Sequence, residues 1–121
     1  GGGLSERSFI NIDDVSSATQ LIAEKGADGA CYHISTDHQI TIRALVEMVL
    51  AKLDMDFDSS VAISSDRRGK DQSYLLSSDR LRALSWSDKI TLEEGVDQTI
   101  IWAQDRLHQL KAAPQSYVHK P

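Results

Sequence analysis

Between Thr41 and Leu53 the apolar residues Ile42, Leu45, Val46, Val49, Leu50 and Leu53 recur at intervals of three and four, the spacing that lines them up on one face of an α-helix. Thr41 stands just ahead of them and offers its hydroxyl as an N-cap. A second helix is announced by Thr91 and Glu94, a capping box in which each side chain satisfies the other's free backbone amide. Val96, Ile100, Ala103, Leu107 and Leu110 follow as a continuous apolar stripe. A third, shorter helix starts at Asp13 and Asp14, carries Val15, Ala18, Leu21 and Ile22 inward, and stops at Gly26 after Lys25. Ser77 or Ser78 caps one or two further turns that carry Leu81 and Leu84.

Strands are shorter and fewer. Arg7 to Ile12 sets Phe9, Ile10 and Ile12 among polar neighbours and reads as a strand feeding the first helix. Ala30 to Ile34, an apolar run after a glycine-containing turn, reads as a buried strand, and Val61 to Ile63 as a short one. Ser64 to Tyr74 is polar, contains Gly69 and holds almost no core residues, so an exposed loop is expected there. Residues 1–111 form one domain, and 112–121, polar and containing both prolines, form a tail. The fold class is α/β, or α+β if the sheet is small, with three to four helices.

Charge and composition remove several classes of function. The formal net charge is −5 and no basic run exceeds Arg67–Arg68, so the footprint of a nucleic-acid binder is missing. Apolar stretches such as Leu45 to Leu50 end far short of the roughly 20 residues that span a bilayer. The first nine residues lack the basic and apolar regions of a signal peptide, and Cys31 is the single cysteine, which points to the cytoplasm. His33, His38, His108 and His119 show no metal-ligand spacing.

Four stretches in fixed order carry a resemblance: Arg7 to Val15 (RSFINIDDV), Tyr32 to Ser35 (YHIS), Asp66 to Tyr74 (DRRGKDQSY) and Leu84 to Trp102 (LSWSDKITLEEGVDQTIIW). Up to about Leu107 the chain resembles the C-terminal third of extended short-chain dehydrogenase/reductases, in the NAD-dependent epimerase/dehydratase family and most closely its dTDP-glucose 4,6-dehydratase branch. That family has an arginine opening a strand that ends in aspartate, a Tyr-Asn-Ile-Gly strand, a DR-x-G-x-D-x-x-Y loop, and a glycine-tryptophan turn before a T-x-x-E-G-x-x-x-T-x-x-W helix. This sequence departs at His33 (asparagine in the family), Ser35 (glycine) and Ser85 (the glycine of the turn). The family's G-x-x-G-x-x-G turn, which lays backbone amides on a cofactor pyrophosphate, is absent, as is its Tyr-x-x-x-Lys catalytic pair. The resemblance therefore implies a partial substrate-binding domain lacking the dinucleotide-binding half. It holds no cofactor of its own, where the parent family uses NAD, and no catalytic residue. The opening Gly1, in place of Met, fits a piece of a longer protein.

A nucleotide sugar presents two phosphates, which a planar guanidinium grips through paired hydrogen bonds. By resemblance Arg7 and Arg67 match the diphosphate-contacting positions, and Arg68 is the alternative to Arg67 within the loop. Asp71 and Tyr74 either fix the loop or meet the ribose. His33 either donates to the ligand in place of asparagine or is a hydrogen-bonded core residue. Trp86 and Trp102 read as packing residues. The implied function is the substrate-binding portion of a nucleotide-diphosphate-sugar dehydratase or epimerase, inactive alone. A stand-alone nucleotide or nucleotide-sugar binding module and an oligomerising interaction subunit are the alternatives. The expected partners are the nucleotide-diphosphate sugar and either a second copy, giving a homodimer, or a complementary cofactor-binding subunit, because a chain without its sheet exposes a strand edge.

Overall fold

The computed structural model of the protein describes residues 2–65, 69 and 71–114. Among them are six helices and one two-stranded sheet, in the order β1 (Glu6–Arg7), α1 (Ile12–Lys25), β2 (Ile40–Thr41), α2 (Ile42–Lys52), α3 (Phe57–Ser60), α4 (Asp79–Arg82), α5 (Leu92–Asp105) and α6 (Leu107–Ala112). The class is mixed α and β, with more helices than the three to four expected because α3 and α6 are added.

The long helices start where capping chemistry places them. Thr41 accepts a hydrogen bond from the Ala44 amide (3.0 Å), and Thr91 and Glu94 form the complete capping box. Helix α1 begins one residue earlier than Asp13, because Asn11 rather than an aspartate is its N-cap and accepts from the Asp13 amide (2.8 Å). Gly26 ends it through close approach, not through an unusual dihedral: its φ is −67°, but a Cβ there would lie 2.5 Å from the Ile22 carbonyl oxygen. The last stripe does not run unbroken to Leu110. Arg106, at φ −110° and ψ 14°, separates α5 from α6.

The strands depart most from expectation. Of Arg7 to Ile12, only Arg7 joins the sheet, with Glu6 beside it; the pairing is antiparallel, Glu6 opposite Thr41 and Arg7 opposite Ile40. Ala30 to Ile34 joins no strand among the described residues; the Cys31 carbonyl accepts from Arg80 Nη1 instead (3.0 Å). Tyr32 and Ile34 pack on the core while Cys31 and His33 are exposed, the period-two alternation of a strand without a neighbouring strand. His33 is thus neither buried nor hydrogen-bonded to any described residue, contrary to the core reading. Val61 to Ile63 is not a strand; just before it, Asp56 caps α3 through the Ser59 amide (2.9 Å).

The core gathers under α1, where Ala18, Leu81 and Trp86 are buried and Ile10, Leu21, Ile22, Tyr32, Ile34 and Leu84 pack around them. Several polar groups in and around it are matched, although the buried Arg82 Nε beside Trp86 finds no hydrogen-bond partner among the described residues. Asp14, only 3% exposed, accepts the Lys89 amide on both carboxylate oxygens (3.1 Å each) and the Ile90 amide (3.0 Å), which ties α1 to the approach to α5. Ser78 Oγ accepts from the Ser35 amide and donates to the Ser35 carbonyl (2.8 Å each). Trp86 donates to Ser17 Oγ (3.2 Å) and confirms its core assignment. Trp102 does not: it is 48% exposed, with the Arg106 guanidinium 5.3 Å from its ring centre.

On the other side of the molecule α2 and α5 are linked by Lys52 and Asp97 (Nζ to Oδ1, 2.6 Å). Their apolar faces line a groove of about 700 Å³ floored by Phe9 to Ile12. No helix among the described residues is long and apolar enough to cross a membrane.

Candidate functional site

The short sheet presents Arg7 at the molecular surface beside the returning loop. Glu6 bridges to Ser73 in parallel fashion, with its amide on the Gln72 carbonyl (2.8 Å), so residues 71–74 run alongside β1. Arg7 donates through Nη1 to the Glu6 carbonyl (2.6 Å) and through Nη2 to the Asp71 carbonyl (3.1 Å). Its Cζ stands 5.0 Å from the centre of the Tyr74 ring, within cation–π range. The Tyr74 hydroxyl donates to Asp71 Oδ2 (2.5 Å). Gln39 closes the group from the β2 side, its Nε2 reaching the Tyr74 carbonyl (2.9 Å) and Ser73 Oγ (3.3 Å).

Each contact restricts the guanidinium without neutralising it. Among the described residues, no carboxylate oxygen comes within ion-pair distance of Arg7, and only two of its five N–H groups have partners. The arrangement is an oriented, half-buried guanidinium. Tyr74 is held in the opposite state to a catalytic base: the hydrogen bond to Asp71 and that carboxylate's charge push its pKa up, with Arg7 opposing. It remains a neutral phenol that donates.

Past Gln39 lies a cleft of about 520 Å³ lined by Phe9, Thr36, His38, Met48 and Lys89 among others, within the size range of small-ligand sites. The structure therefore brings together Arg7, Asp71 and Tyr74. Arg67 and Arg68 lie outside the described residues. His33 shares no hydrogen bond, ion pair or ring contact with the cluster. Gln39 was not anticipated; its only sequence signal is its place directly ahead of Ile40–Thr41, and that pairing with β1 was not legible. No group of three or more metal-ligating side chains converges among the described residues.

Among the described residues, none of the three longest helices is entered by a turn suited to a dinucleotide. The residues leading into them are Ile10–Asn11, Ile40–Thr41 and Ile90–Thr91. Each has a Cβ where a pyrophosphate-binding turn needs glycine so that backbone amides can approach.

No family model matches the sequence. A curated relative, the dTDP-D-glucose 4,6-dehydratase of Mus musculus, is 28% identical over 96% of this chain and 34% of its own length. Among solved structures, the dTDP-glucose 4,6-dehydratase of Bacillus anthracis in complex with NAD superimposes with a TM-score of 0.84 at 25% identity, covering 93% of this chain and 35% of that one. The UDP-glucose 4-epimerase of Thermotoga maritima with UDP-glucose gives a TM-score of 0.80 at 26% identity, covering 88% and 34%. The homologues are nucleotide-sugar dehydratases and epimerases of the extended short-chain dehydrogenase/reductase family, as the four motifs indicated, and the chain spans about a third of their length.

Proposed function

We propose that this chain is the substrate-binding portion of a nucleotide-diphosphate-sugar dehydratase or epimerase of the dTDP-glucose 4,6-dehydratase type. The observation that carries the reading is Arg7: a guanidinium set 5.0 Å from the Tyr74 ring centre and tethered by the Asp71 carbonyl, on the sheet beside the loop motif to which Arg67 and Arg68 belong in sequence. A diphosphate bridges two such cations. The nucleoside then extends over Gln39 toward the 520 Å³ cleft, where Phe9 offers a ring and His38 and Lys89 offer donors. Asp71 and Tyr74 act by fixing the loop.

Isothermal titration with dTDP and UDP tests this. Each charge-assisted contact contributes about 1.5 to 3 kcal/mol, so Arg7→Ala and Arg67→Ala each weaken binding about 10-fold or more. Equal binding by wild type and both variants, or no binding by any, refutes the site. Turnover needs a hydride acceptor and a base held at the sugar, which the proposal assigns to a cofactor-binding part. Incubated alone with NAD and dTDP-glucose, the chain should form no keto-sugar.

The extended residues Cys31 to Ile34 favour an accompanying role in assembly, since none of their amides has a partner among the described residues. Such an edge recruits a strand, from a second copy or from the cofactor-binding part. Light scattering that finds a stable monomer at tens of micromolar, together with unchanged exchange of these amides when that part is added, would remove this role.

A further inference from the structure

We infer that the groove between α2 and α5 seats an amphipathic α-helix of the cofactor-binding part of the polypeptide; the inference rests on reading this chain as the substrate-binding portion. Helix α2 turns Leu45, Val49 and Leu53 toward the groove, and α5 turns Val96, Ile100 and Ala103, with Leu107 beyond. Those intervals, four and four on α2 and four, three and four along α5 to Leu107, are the ridge spacings by which one helix packs on another. Two helices that present such rows to a common space of about 700 Å³ form the two sides of a three-helix contact whose third member is missing. The lining contains no ionisable side chain, so the occupant presents an uncharged face. Leu53 and Leu107 are 37% and 49% exposed, positions that a seated helix would cover.

The size of the relatives says where that helix comes from. The B. anthracis dehydratase has this fold over only 35% of its chain and binds NAD, for which these residues provide no turn; the remaining two thirds therefore include the cofactor site and pack against the faces left open here. A second copy of this chain is a poor occupant. The outward face of α1 is Ser16, Thr19, Gln20, Ala23 and Glu24, and Ile101 and Trp102 are flanked on α5 by Gln98 and Asp105, so that outside the groove itself the described residues offer no apolar ridge several turns long to insert into it.

The probe is a fluorescein-labelled, stapled 14-residue helix with leucine at positions 2, 6, 9 and 13 and alternating Glu and Lys elsewhere, with a scrambled peptide of equal composition as control. Anisotropy should show saturable binding of the patterned peptide alone. Hydrogen exchange should slow across 42–52 and 92–105. Val49→Asp and Ala103→Glu, each checked for retained helicity by circular dichroism, should weaken binding at least 10-fold, while Arg7→Ala should leave it unchanged even as it weakens nucleotide binding. The mouse dehydratase truncated to the two thirds that this chain does not match should displace the peptide. Equal binding of the scrambled peptide, protection of α2 and α5 by self-association alone, or displacement by an alkyl-chain detergent but not by the truncated dehydratase each overturns the inference. Loss of nucleotide binding by wild type with peptide binding intact would instead count against the nucleotide site.

Discussion

The two sides of this small fold are built to different standards. Under α1 the apolar residues Ala18, Leu81 and Trp86 are buried, and several polar groups among them are matched: Asp14 to two backbone amides, Ser78 to both backbone groups of Ser35, Trp86 to Ser17. Between α2 and α5 the apolar periodicity is stronger in sequence, yet only Leu50 and Val96 are buried and the two helices border a groove. The contrast teaches that periodicity reports the need for a covering layer and does not report whether the same chain provides it. Here the α1 side supplies its own cover and the α2–α5 side waits for one.

The comparison is broken or sharpened first by one substitution made on both sides. Leu81 is fully buried, so Leu81→Ala should cost about 2 to 5 kcal/mol through lost transfer energy and a residual cavity. Leu107, 49% exposed, should lose about 1 kcal/mol or less as Leu107→Ala. Urea denaturation of both variants, with unchanged m-values, measures the difference. Similar losses would mean that the groove side is as well packed as the α1 side.

Next in size is the buried carboxylate. Asp14→Asn keeps the shape but removes the charge and turns an amide N–H₂ toward the Lys89 and Ile90 amides, leaving a buried donor unsatisfied at about 1 to 3 kcal/mol. The expected signature is a lower denaturation midpoint with faster exchange at residues 89 and 90. Asp13→Asn, one residue earlier and exposed, should be nearly neutral, and an equal loss in both would assign the effect to the helix terminus rather than to the clamp.

These two residues also mark where sequence reading stops. Asp13 and Asp14 look alike as acidic groups at a helix start, and only the chain's return at residues 88–90 decides that Asp14 is the buried one. Helices were legible because capping and stripe are local, so Thr41, Thr91 and Glu94 perform as read. Strands were not, because a strand is defined by its neighbour. Arg7 to Ile12 and Ala30 to Ile34 have strand-like patterns, but only Arg7 finds a partner, and that partner, β2, carried no strand signal of its own. At the site, Asp71 and Tyr74 of the loop motif lie beside Arg7. Gln39 entered through the unforeseen β1–β2 pairing, while His33 is exposed and shares no hydrogen bond with this cluster.

The site cluster gives a prediction of direction rather than energy, since Tyr74 is solvent-exposed. Its pKa is raised by the Asp71 hydrogen bond and charge, so the contact is fully present below the ordinary tyrosine range and is lost as pH rises through the elevated value. Ultraviolet phenol titration should therefore show a phase above the ordinary tyrosine range that vanishes in Tyr74→Phe and moves down in Asp71→Asn. In Arg7→Ala it should move further up, because the guanidinium favours the phenolate. A titration unaffected by Asp71→Asn would show that the loop does not hold this geometry in solution.

The smallest effect belongs to the turn that feeds Trp86 into the packed side. Ser85 has a φ of 70°, the left-handed region that an L-residue enters at a cost of about 1 kcal/mol or more and glycine enters freely. The dehydratase family has glycine at the matching position, and the geometry supplies the reason. Ser85→Gly removes the steric cost but adds freedom to the unfolded chain, which takes back about 0.4 to 1 kcal/mol, so a net gain of about 0.5 kcal/mol is expected. The Ser85 amide donates to the Arg82 carbonyl (2.9 Å), a backbone contact that a glycine can also make, and the Ser85 side chain makes no hydrogen bond with the described residues that would be lost. Ser85→Ala isolates the dihedral from the hydroxyl: it should leave stability within about 0.5 kcal/mol of wild type, as surface changes do. A glycine variant less stable than the alanine one would show that Ser85 adopts an ordinary backbone conformation in solution, and that the turn positioning Trp86 carries no strain to relieve.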